Sequence, residues 1–246
     1  MERILIIGAT SAIATAWAQR RAAAGASFIL AARDRQKLEQ TAADLRVRGA
    51  ASCILFELDV MNFDQHAALF DAANADGATL DIALVAHGTL PDQARCQQDV
   101  DYALRELHIN ATSVIALLTR LANLFEQQGR GTLAVISSVA GDRGRPSNYL
   151  YGSAKAAVST FCEGLRARLF KAGVALVTIK PGFVDTPMTA GLELPGLLLA
   201  TPEQVAARID KGIRRGTPVL YAPAFWAGIM LVIRLIPQAI FKRLSL

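Results

Sequence analysis

The sequence predicts an α/β fold: a doubly wound parallel sheet of about seven strands, helices on both faces, and an apolar helical segment appended at the C-terminus. Three observations carry this. Short apolar runs of strand length recur along the chain, a helix-length stretch follows nearly every one, and the first run ends in a glycine turn that opens a helix. With 246 residues, 52% of them apolar and 19% charged, the chain can bury a substantial core and is far too apolar to be disordered.

The first strand is Ile4–Ile7, a bare aliphatic run, and an Ala-rich helix follows near 12–24. Ser27–Ala31 leads to a helix over 35–48, and Ser52–Glu57 to one over 63–74. Ile82–Ala86 precedes a long helix over 97–127, and Thr132–Ser137 precedes one over 148–171. Ala175–Lys180 leads to a helix over 202–215, and Val219–Tyr221 closes the sheet. Such spacing is what βαβ units and a buried parallel sheet require. No internal repeat, low-complexity tract or linker interrupts it. Residues 1–222 therefore read as one domain, and 223–246 as an apolar, cationic C-terminal segment.

The 26 Lys and Arg against 21 Asp and Glu give a net charge of +5, unevenly placed. Lys211, Arg214, Arg215, Arg234, Lys242 and Arg243 lie in a C-terminal stretch without Asp or Glu, which leaves the body near neutral. These cations flank an apolar run instead of forming a dense polar patch, which argues against nucleic-acid binding. Cys53, Cys96 and Cys162 are far apart and form no C-x-x-C pair. Ordinary thiols in a reducing, cytoplasmic setting are expected, with neither a disulfide framework nor a metal site. The first apolar run turns at once into Gly8, so no secretory signal is expected.

"IIGATSAIAT", residues 6–15, places a strand, a tight turn and a helix in succession. Backbone N–H groups at such a helix N-terminus can hold a pyrophosphate. Gly8 permits the turn, and Thr10 and Ser11 can cap the helix and offer hydroxyls to phosphate. Ala12 and Ala14 stand where this fingerprint usually has its second and third glycines. A plain strand-to-helix turn would look the same.

Support comes from "SSVAGDRGRPSNYLYGSAKAAV", residues 137–158. Tyr151 and Lys155 are four apart on one helix face. A nearby ammonium favours the phenolate and would lower the tyrosine pKa from about 10. Ser138 follows a strand, at the edge where α/β sheets place their ligands.

With these residues the chain resembles the short-chain dehydrogenase/reductase family over about residues 3–221. The resemblance implies a single-domain Rossmann fold and a nicotinamide cofactor. It implies a catalytic group of Asn110 (in "LHINATS"), Ser138, Tyr151 and Lys155. In that scheme Tyr151 protonates the carbonyl oxygen as hydride arrives, and Ser138 orients that oxygen. Lys155 holds the nicotinamide ribose and lowers the pKa of Tyr151, while Asn110 anchors a water that relays protons. "KPGFVDTPM", residues 180–188, matches the family's Pro-Gly segment. The implied cofactor contacts are Gly8, Thr10, Ser11, Ala12, Ile13, Arg33, Asp59, Val60, His87, Gly88, Pro181, Gly182, Val184 and Thr186, with Tyr151 and Lys155. Asp59 is the acid expected to contact adenine. Departures are Ala12, Ala14 and "VAHG" at 85–88, where Ala86 replaces an asparagine and His87 a small residue. His87 reads either as a packed, hydrogen-bonded imidazole or as a special ligand. The resemblance also implies a homodimer or homotetramer, paired through the helices at 97–127 and 148–171.

The second strand runs into "ILAARDRQKL". An NAD site carries an acid at this strand end, whereas here Ala31 and Ala32 lead to Arg33, whose planar fork suits a 2′-phosphate. NADP(H) is therefore expected over NAD(H), with Asp34 serving the ribose as the other reading.

The final segment reads "AFWAGIMLVIRLIPQAIFKRLSL". It is too short before Arg234 to span a bilayer, which takes about 20 apolar residues. As a helix, kinked at Pro237, it would carry Arg234, Gln238 and Lys242 on one stripe, with Phe225, Ile229, Ile233, Ile236, Ile240 and Leu244 covering the rest. That is the pattern of a helix lying in a membrane interface. Docking on the body or on a second subunit would bury the same face. Together with "SSVAGDRGRPSNY" and "TIKPGFVDTPMT", this tail resembles the reductase branch that reduces decaprenylphosphoryl-2-keto-ribose. A carbonyl reductase acting on a prenyl-linked keto-sugar at the inner face of the membrane is the leading expectation. A soluble reductase of an unrelated small ketone is the alternative. A catalytically inactive cofactor-binding sensor, suggested by Ala12, Ala14 and Ala86, is the third.

Overall fold

The computed structural model describes residues 1–74, 77–193 and 195–244. Seven parallel strands form the sheet: β1 (Arg3–Ile7), β2 (Ser27–Ala32), β3 (Ser52–Glu57), β4 (Ile82–Val85), β5 (Thr132–Ile136), β6 (Ala175–Pro181) and, last in sequence, β9 (Val219–Ala222). Their order is β3-β2-β1-β4-β5-β6-β9. The chain winds outward from β1 in one direction and from β4 in the other. The crevice between their C-terminal ends is where such sheets bind ligands. β7 (Phe183–Val184) and β8 (Leu199–Ala200) form a separate two-stranded ladder that closes off the loop between them.

Alternation along the strands builds two core layers. Ile4 and Ile6 of β1 face one layer, with α1 (Ala12–Ala22), α2 (Arg35–Val47) and α8 (Pro202–Arg214). Leu5 and Ile7 face the other, with α3 (Phe63–Asn74), α6 (Ser113–Gln128) and α7 (Tyr149–Phe170). Every strand and helix of the sequence reading is present except the continuous helix at 97–127. That stretch divides into α4 (Gln93–Gln98), α5 (Val100–Leu107), a π-helical turn at His108–Thr112, and α6. Asp99 breaks it by leaving helical geometry (φ −123°, ψ 98°) to cap α5, accepting from Tyr102 N at 2.8 Å.

The C-terminal segment forms α9 (Trp226–Leu235) and α10 (Gln238–Phe241). Pro237 has no N–H to continue the helix, so carbonyls near it are freed. The Arg143 guanidinium takes them, donating to Ile233 O at 2.5 Å and Ile236 O at 2.6 Å. It also bonds Gln238 Oε1 and lies 3.7 Å over the Phe241 ring. The expected single stripe is therefore corrected. Gln238 is tied to the body, and Ile229 and Ile233 pack inward with Val139, Trp226 and Met230. Phe225, Leu231, Val232, Leu235, Ile240 and Leu244 remain exposed. No helix among the described residues is long and apolar enough to cross a membrane.

Candidate active site

One cleft of about 950 Å³ runs along the C-terminal ends of β1, β2, β4, β5 and β6. All of the sequence-derived cofactor contacts line it, with Ser138, Tyr151 and Lys155. Asn110 is not among its lining residues but bonds to Thr89, which is.

Gly8 sits at the β1 turn with φ +84°, and a Cβ there would come within 2.5 Å of His87 N. Only glycine fits both the conformation and this approach. α1 then begins at Ala12, and the first-turn amides of Ala12 and Ile13 have no backbone acceptor, as helix N-termini generally leave them. Ser11 occupies the N-cap position but its hydroxyl caps nothing, which corrects that expectation. The helix entry is fixed instead by Thr15 Oγ1, which donates to Ala9 O at 3.1 Å. Ala14 is fully buried in the core and Ala12 faces the cleft. The third-glycine position thus serves packing, where a methyl is accommodated.

At the β2 end, Asp34 caps α2, accepting from Lys37 N at 3.0 Å. Arg33 is exposed at the cleft edge, and Lys37, which the sequence reading passed over, lines it too. Asp59 accepts from Met61 N at 3.0 Å.

Ser138 caps a short 3-10 turn after β5, accepting from Ala140 N at 3.1 Å, and its hydroxyl lies close enough to that of Tyr151 to favour the phenolate. Lys155 is almost completely buried, with Nζ donating to Ile136 O at 3.3 Å and lying 5.5 Å from the Tyr151 ring centre. Burial pushes the Tyr151 phenol up to about 12, with the nearby Ser138 hydroxyl pulling the other way. Burial likewise pushes Lys155 down to about 8. The expected lowering of Tyr151 by Lys155 is therefore not the dominant effect. Desolvation is the larger effect here, and Tyr151 is held as a neutral acid.

Asn110 lies in the π-helical turn. Its Oδ1 accepts from Thr89 N at 3.0 Å, and its Nδ2 donates to Thr89 Oγ1 at 2.9 Å and Glu106 O at 3.0 Å. The side chain is thus largely spent on the protein. A Cβ on Gly88 would fall 2.9 Å from Asn110 Oδ1 and 3.3 Å from Lys155 Nζ, so glycine keeps the space between them open. His87 Nε2 meets Ser113 Oγ at 2.9 Å, and that hydroxyl already donates to Ile109 O. The ring therefore donates through Nε2. Burial, with the Lys155 charge adding to it, pushes His87 down to about 3.

Several site neighbours escaped the sequence reading. Asp142, in the turn after Ser138, accepts from Lys180 Nζ at 2.5 Å and Tyr221 OH at 2.7 Å, which fastens that turn to β6 and β9. Trp226 of α9 occupies the space a side chain at Gly182 would need, 1.8 Å from its built Cβ, and meets Phe183 edge-on at 5.1 Å. Arg145 and Asn148 line the cleft beside Tyr151. Their signal was present in "DRGRPSN", where charge sits close to the reactive tyrosine.

Residues 2–194 match the short chain dehydrogenase family. The chain is 38% identical over 241 residues to an uncharacterized oxidoreductase of Mycobacterium tuberculosis, covering 98% of this chain and 96% of that one. It is 35% identical over 242 residues to an uncharacterized oxidoreductase of Streptomyces coelicolor, covering 98% and 95%. Both alignments extend into the C-terminal segment. Among solved structures, levodione reductase superposes with a TM-score of 0.83 at 20% identity, covering 92% of this chain and 98% of that one. A short-chain type dehydrogenase/reductase from Mycobacterium marinum gives 0.81 at 22%, covering 89% and 93%. The chain belongs to the short-chain dehydrogenase/reductase family, a family of oxidoreductases that use a nicotinamide cofactor.

Proposed function

We propose that this protein is an NADPH-dependent carbonyl reductase, with Ser138, Tyr151 and Lys155 as its reacting set. The observation that carries this is the single cleft joining an open helix N-terminus at Ala12 to the Ser138–Tyr151 hydroxyl pair. Bound NADPH supplies the hydride. Ser138 donates to the substrate's carbonyl oxygen, and Tyr151, a neutral acid at physiological pH, protonates it. Lys155 holds the nicotinamide ribose. The space kept by Gly88 between Asn110 and Lys155 admits a water, through which Tyr151 regains its proton. Turnover by the purified wild type would argue against an inactive sensor.

Preference for NADP(H) rests on Arg33. Asp34, the acid that could serve a ribose 2′-OH, is engaged as the cap of α2, while Arg33 makes no hydrogen bond or ion pair among the described residues. Lys37 adds a second cation. Arg33→Ala is expected to weaken NADPH binding by about tenfold to a hundredfold, the range of a charge-assisted bond, and to leave NADH binding unchanged. Equal effects on both cofactors would remove the 2′-phosphate role.

A membrane-surface role rests on the tail. Leu231, Val232 and Leu235 are exposed on α9, and the exposed Lys242 and Arg243 follow in the same C-terminal segment. Leu198 packs against this helix from the loop between β7 and β8, while its neighbour Leu197 is 98% exposed. Together they offer exposed apolar side chains in a segment that also carries cations, as an interfacial element should. A prenyl-linked keto-sugar, like that of the reductase branch the sequence resembles, fits such a placement. Sedimentation with anionic vesicles should drop at least about tenfold in Leu235→Glu. Full-length protein that ignores these vesicles would assign the surface to protein contact. Pairing as a homodimer or homotetramer through α6 and α7 is also proposed. Phe170, exposed at the end of α7, is apolar surface that such pairing would cover.

A further inference from the structure

Arg145 stands six residues before Tyr151 and lines the substrate end of the cleft. Among the described residues its guanidinium makes no hydrogen bond or ion pair, and its Nε is buried without a partner. The carboxylate whose charge favours it, Asp142, is already committed on both oxygens to Lys180 and Tyr221. Among the described residues, no other carboxylate compensates it at this end. The two that line the cleft among the described residues, Asp34 and Asp59, follow β2 and β3, across the sheet from the β5 loop that carries Arg145. Beside it, Asn148 Oδ1 is also buried without a partner, although Asn148 occupies the N-cap position of α7 where its side chain could have capped.

A guanidinium held partly out of water with no acceptor is unfavourable unless something completes it. Burial pushes Arg145 down from its ordinary range, the mark of that missing partner. Its planar fork of donors suits a carboxylate or a phosphate. Oδ1 of Asn148 is an acceptor, suited to a hydroxyl beside that anion.

Resting on the reductase reading above, we propose that Arg145 and Asn148 form a substrate subsite for an oxyanion group, with a neighbouring hydroxyl, attached to the carbonyl compound that Ser138 and Tyr151 hold. Leu90, Phe183, Met188 and Leu192 also line the cleft, with Thr89, Thr186 and Thr189 among them. The substrate class is therefore an anionic hydroxy-carbonyl compound with an apolar portion. Either a carboxylate or a phosphate ester supplies the shared chemistry.

Calorimetric titration of the whole protein with benzoate and phenyl phosphate, each against its neutral counterpart (benzamide and phenol), tests this. At least one anion should bind about tenfold or more tightly than its neutral counterpart, in line with a charge-assisted hydrogen bond. The tighter of the two tells carboxylate from phosphate. Arg145→Gln should erase the preference, and Arg145→Lys should retain part of it, with melting temperatures confirming that both variants fold. No anion preference in the wild type, or the same preference in Arg145→Gln, would overturn the subsite. NADPH titrated into the same samples reports separately on the reductase reading, because the cofactor's phosphates sit at α1 and β2. Intact NADPH binding without anion preference sinks the subsite alone.

Discussion

Tyr151→Phe should lower ketone reduction by about a hundredfold to ten-thousandfold, the usual contribution of a positioned general acid, while NADPH binding stays unchanged. The substitution removes one oxygen from a half-buried ring. Ser138 keeps its bond to Ala140 N, and Lys155 keeps its bond to Ile136 O, so the scaffold of the site is undisturbed. The loss should therefore appear in kcat more than in KM. Stopped-flow measurement of NADPH oxidation, beside a cofactor-binding titration, checks both halves. Retained turnover would remove Tyr151 from the chemistry, and loss of cofactor binding would make its role structural.

Trp226→Ala should destabilise the protein by about 3–5 kcal/mol, the range for emptying a large buried aromatic site. For a chain of this size that is a fall in melting temperature of roughly 6–20 °C. Trp226 is 2% exposed, and it links the tail to the Pro181–Gly182–Phe183 segment that lines the cleft. Binding of the nicotinamide half should weaken with it. Phe225→Ala, one residue earlier and 45% exposed, is the control and should shift stability by about 0.5 kcal/mol or less. Equal melting temperatures for the two variants would mean that α9 is not part of the cooperative unit.

Much of this was legible in the sequence because the information was local. Ile4–Ile7 and the six strand runs after it declare themselves by composition, and the turn at Gly8 by its place between a strand and a helix. Tyr151 and Lys155 are brought together by helix periodicity alone. The break at Asp99 carried a readable capping signal, but it lay inside a stretch whose helical pattern continues on both sides. The π-helical turn holding Asn110 has no sequence signature; it reflects packing against Thr89 and Glu106. The inward face of α9 depends on Gly182 leaving room for Trp226 and on Arg143 reaching the carbonyls before Pro237. These are long-range fits that no window of sequence contains. The tyrosine pKa was misjudged for a related reason. Spacing along a helix shows that a lysine is near, but not how far the surrounding protein desolvates both groups.

The most direct test of the central claim is titration of the purified protein with NADPH, followed by cofactor fluorescence. Micromolar binding is predicted, because Gly8 opens the turn, Ala14 packs in the core, and the amides of Ala12 and Ile13 stand free at the cleft. Failure to bind either NADPH or NADH would contradict the account. It would mean that the alanine-bearing turn closes the cradle, and the roles assigned to Ser138, Tyr151 and Lys155 would fall with it.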